Sequence, residues 1–109
     1  MLFRSAAVKA LTAAGVTLTP VSYAQDVKAA LSTVELGEAD AALVYRTDAI
    51  ASGGKVTGIE FPESAGAITS YPIAALDHSS NLSTARAFVA FVLLPTSIAE
   101  LTAAGFQQP

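Results

Sequence analysis

The sequence predicts an α/β fold. Segments with apolar residues at helical spacing alternate with short apolar or β-branched runs, and a Gly or Pro punctuates most of the joints. No internal repeat, linker or low-complexity tract interrupts this alternation. With 109 residues the chain is one domain at most.

The elements follow in order. Residues 6–14 are Ala-rich, with Val8 and Leu11 expected on one face and Gly15 placed to cap the end. Residues 16–23 are rich in β-branched residues and read as a strand approach, with Pro20 suited to an edge or a strand start. Asp26 is a good N-cap for a helix whose face carries Val27, Ala30, Leu31 and Val34 and which Gly37 ends. Residues 39–45 form a nearly continuous apolar run, the pattern of a strand buried on both faces of a parallel sheet.

Residues 47–52 suit a short helix capped by Thr47 or Asp48 and broken by Gly53 and Gly54. Residues 56–61 alternate as a strand and stop at Pro62; residues 68–76 read as another strand. Asn81 is placed to cap a helix in which Ala85, Phe88, Val89 and Val92 share a face. Pro95 opens a last helix, whose Ile98 and Leu101 continue the apolar face to Gly105.

Composition narrows the function. The hydrophobic fraction is 52% and the charged fraction 14%, where soluble domains carry about 25% charged residues. So apolar a chain is expected to oligomerise, or to have lost a part that covered it. The longest apolar run, residues 87–94, falls far short of the ~20 residues of a spanning helix. Residues 1–5 hold one basic residue but neither the apolar core nor the cleavage site of a secretory leader. Without cysteine there is no disulfide framework or thiolate site. Net charge is −3, and the six basic residues are scattered, so nucleic acid is not an expected partner.

Catalytic patterns are missing. His78, the one histidine, follows Asp77 in a loop and reads as a solvated turn residue. No G-x-S-x-G, H-E-x-x-H, P-loop or G-x-G-x-x-G occurs. Glu35 and Glu38 read as a solvated face rather than an acid/base pair. No enzyme activity, metal site or cofactor is expected.

A different chemistry fits residues 26–45. A helix start leaves its first N–H groups unpaired and carries the positive end of the macrodipole. With the Asp26 carboxylate serving amides two or three positions on, the Val27 N–H stays free for an anion. Tyr45 comes at the carboxyl end of the expected strand, where open α/β sheets place ligands, and its phenol is a neutral donor. An amide and a phenol suit a fully ionised oxyanion, which has no proton to donate. Both residues also have an ordinary reading: Val27 as first-turn packing, Tyr45 as a strand end that wets its hydroxyl.

The order of pieces resembles the C-terminal part of the bacterial periplasmic molybdate-binding proteins, the solute receptors of an ABC-type importer. The resemblance runs through Gln25-Asp-Val-Lys-Ala-Ala-Leu31 and Val34-Glu-Leu-Gly-Glu-Ala-Asp-Ala-Ala-Leu-Val-Tyr-Arg-Thr-Asp-Ala49. It continues through Phe61-Pro-Glu63 and Tyr71-Pro-Ile-Ala74 and closes with the two helices ending at Gly105-Phe106. It implies a partial periplasmic-binding-protein-like (type II) fold. Residues 6–80 would be part of the second lobe with crossover strands. Residues 81–109 would be helices that return to a first lobe absent from this chain, and residues 1–5 a non-native start.

It further implies molybdate or tungstate as ligand, held by the Val27 amide and the Tyr45 hydroxyl. The family's other ligands, seryl hydroxyls and amides, come from segments this chain does not contain, so the chain alone is expected to bind poorly. The implied partner is the importer's permease, the location periplasmic or extracytoplasmic, and no cofactor is needed. Three rivals stay open. One is a receptor for another oxyanion such as sulfate or phosphate. The others are the effector-sensing domain of a transcription regulator and an interaction fragment without ligand.

Overall fold

The computed structural model describes residues 4–20 and 22–108, without the side chains of Arg4 and Ser5. The chain divides into two compact units, Met1–Thr69 and Ser70–Pro109.

The first unit holds α1 (Arg4–Ala13), α2 (Val27–Glu35), α3 (Arg46–Ala51) and a 3-10 turn (Pro62–Ala67). The 3-10 turn packs on α1, and α2 packs on α3. Small side chains make these contacts: Ala7 and Ala10 are buried on α1, and Ala30 on α2 is 0% exposed. Val8 points outward, contrary to the face expected for it. The buried stripe of α1 is Ala7, Ala10 and a half-buried Leu11, the i, i+3, i+4 row of a helix.

The expected strands form no ladder among the described residues. Among the described residues, Tyr23 and Leu43 alone have strand character, each as an isolated β-bridge residue. Residues 16–20, 39–45, 56–61 and 68–76 contain no ladder; Val21, inside the first expected strand, lies outside the described residues. An apolar run becomes a strand only where a neighbour takes its N–H and C=O groups, and isolated pairs are marginal. Among the described residues the apolar runs thus alternate with helices without forming a ladder.

Helix termini follow the sequence more closely. At the end of α2 the Gly37 N–H donates to the Val34 carbonyl at 3.0 Å and the Glu38 N–H to the Thr33 carbonyl at 2.9 Å. This crossed pair needs a left-handed residue between, and Gly37 has φ 74°. A short helix forms near residues 47–52 as expected, but it begins earlier: Tyr45, rather than Thr47 or Asp48, is its N-cap residue.

The second unit holds α4 (Leu82–Val92) and α5 (Pro95–Ala103), which pack on each other. Leu82, Ala85, Val89, Val92 and Ile98 are half-buried. Phe88 does not join that face: it is 57% exposed and stacks on Phe91, ring centroids 6.5 Å apart. Asn81 sits at the N-cap position of α4, but its side chain makes no capping bond. Pro95 opens α5 as expected. The Tyr71 ring meets Phe106 edge-on at 5.9 Å. Among the described residues no single helix is long and apolar enough to cross a membrane; α4 and α5 pass together by length and composition but are bent by 62°.

Candidate functional site

The two candidate ligand residues lie in the same unit, at the starts of two helices that pack on each other. Val27 is the first residue of α2, and Asp26 precedes it as N-cap in an extended conformation (φ −144°, ψ 172°). The Asp26 carboxylate accepts from the Ala29 N–H at 2.8 Å through Oδ1. The Asp26 carbonyl accepts from the Ala30 N–H at 3.2 Å. One cap thus serves the third amide, and the ladder begins at the fourth. The Val27 amide has no acceptor among the described residues, and the residue is half-buried. The arrangement is the one the sequence suggested: a carboxylate that spends its hydrogen-bonding capacity one turn away and leaves the first amide unpaired.

Tyr45 precedes α3 with φ −76° and ψ 152°. Its carbonyl takes the Asp48 N–H at 3.1 Å and the Ala49 N–H at 3.2 Å, so its backbone starts the helix. Its side chain caps nothing, and its hydroxyl makes no hydrogen bond among the described residues. The residue is half-buried. The phenol is therefore unengaged at its donor end among the described residues.

Charge around these residues is mixed. Each candidate ligand is followed by a basic residue, Lys28 after Val27 and Arg46 after Tyr45. The Arg46 Nε lies 3.0 Å from the Glu60 Oε1, whereas Lys28 makes no ion pair among the described residues. Sequence reasoning passed over Arg46 and Glu60, although the repeat of ligand residue then cation was visible. Asp48 carries a buried Oδ2 without a partner among the described residues, in the first turn of α3, where a negative charge suits the helix dipole. His78 is an exposed loop residue, as expected. Glu35 is not purely solvated: its Oε2 lies 3.8 Å from the Lys55 Nζ. No group of three or more His, Asp or Glu residues that could hold a metal ion occurs among the described residues.

The unit thus holds a helix start with a free amide and, before the helix packed on it, a phenol that makes no hydrogen bond among the described residues. The wider resemblance gives the class of protein. Residues 2–107 match the family model for bacterial extracellular solute-binding proteins, and the chain belongs to that family. Among curated relatives, the molybdate-binding protein ModA of Mycobacterium tuberculosis is 42% identical over 97 residues, covering 89% of this chain and 37% of the relative. ModA of Mycobacterium bovis matches to the same extent. ModA of Escherichia coli is 38% identical over 80 residues, covering 72% of this chain and 31% of the relative. The chain thus spans about a third of the length of these relatives. No solved structure matches it significantly.

Proposed function

We propose that this chain carries part of the oxyanion-holding lobe of a molybdate receptor serving an ABC-type importer. In this reading the Val27 amide and the Tyr45 hydroxyl are the ligands it supplies, and tungstate, of the same charge and shape, is bound as well. The protein binds and delivers; it transforms nothing. It works outside the cytoplasmic membrane and hands its anion to the permease when its lobes close.

The observation that carries this reading is the likeness to proteins named as molybdate-binding. The chemistry agrees. Molybdate near neutral pH is a dianion without a proton, so it favours donors over acceptors, and dipoles supply them in a chain of net charge −3. Two donors contribute roughly 1.5–3 kcal/mol each to a charged partner. Association costs at least ~4 kcal/mol, so two ligands alone give weak binding and tight capture needs the remaining ligands of a full receptor.

The test is a chimera in which this chain replaces the matching stretch of the Mycobacterium tuberculosis relative, titrated calorimetrically with molybdate, tungstate and sulfate. The expected result is tight binding of the first two and weak binding of sulfate. A chimera that folds by circular dichroism yet ignores molybdate, or prefers sulfate, overturns the reading.

A further inference from the structure

No further inference is drawn: the strongest candidate, the exposed apolar patch where α4 turns into α5 (Phe88, Phe91, Leu93 and Leu94), carries nothing because nothing in the structure shows what covers it.

Discussion

The starts of α2 and α3 face the same problem and solve it differently. At α2 a carboxylate from Asp26 reaches the Ala29 amide at 2.8 Å. At α3 the residue in the same position, Tyr45, caps nothing. The first start invests a side chain in its own helix and leaves a backbone donor over. The second leaves its side-chain donor over and starts its helix with a carbonyl alone. A helix of nine residues can offer a backbone amide because a cap anchors it. A helix of six residues has no such side-chain cap, and the residue before it keeps its phenol uncommitted. The comparison teaches that both starts leave a first backbone amide unpaired among the described residues, and that they differ in the cap: a committed carboxylate at α2, an uncommitted phenol at α3.

The largest effect is expected from removing the backbone donor while keeping its helix. Val27→Pro deletes the N–H at the first helical position, where proline's fixed φ suits the helix. Asp26 is already extended, the conformation that a residue before proline prefers. In the chimera, molybdate affinity is expected to fall by about 100-fold, the upper range for a hydrogen bond to a charged partner, with melting temperature little changed. Retained affinity in a stable V27P protein would show that the α2 amide faces no ligand. Tyr45→Phe makes the matching deletion at the other start. The phenol serves no cap, so α3 survives, and affinity is expected to fall by about ten-fold or more. An unchanged affinity would reduce Tyr45 to a ring that packs.

The same contrast explains what was legible in the sequence. The Asp26 cap, the α2 face, the Gly37 stop and the Pro95 start each depend on residues within one turn of each other, and all four appear where the pattern put them. The strands depend on distant partners, and residues 39–45 meet none that builds a ladder among the described residues. Tyr45, read as the end of that run, is extended and precedes a helix. An apolar run carries no record of whether a neighbour is present to pair with it. Val8 and Phe88 failed for a related reason. Periodicity names a helix's apolar residues, but packing selects which of them are covered: Ala7 and Ala10 in the first case, Leu82, Ala85, Val89 and Val92 in the second. The Arg46–Glu60 pair spans fourteen positions and has no local signature at all.

The smallest effects test the cap and separate its two properties, hydrogen bonding and charge. Asp26→Ala removes the acceptor that serves the Ala29 amide and is expected to cost about 1 kcal/mol of stability in chemical denaturation. Asp26→Asn keeps an acceptor of equal capping strength, so stability is expected to change by only a few tenths of a kcal/mol. The carboxylate's charge is lost in both variants, but only alanine loses the geometry. If the cap's role is to leave the Val27 amide aimed outward from a well-formed first turn, D26N keeps molybdate affinity or improves it, because a negative charge beside the dianion is gone. D26A loses affinity as α2 frays at its start. Equal affinity in D26A and wild type, measured in the same chimera, would mean that the first turn holds its shape without Asp26, and the contrast between the two helix starts would then reduce to Tyr45 alone.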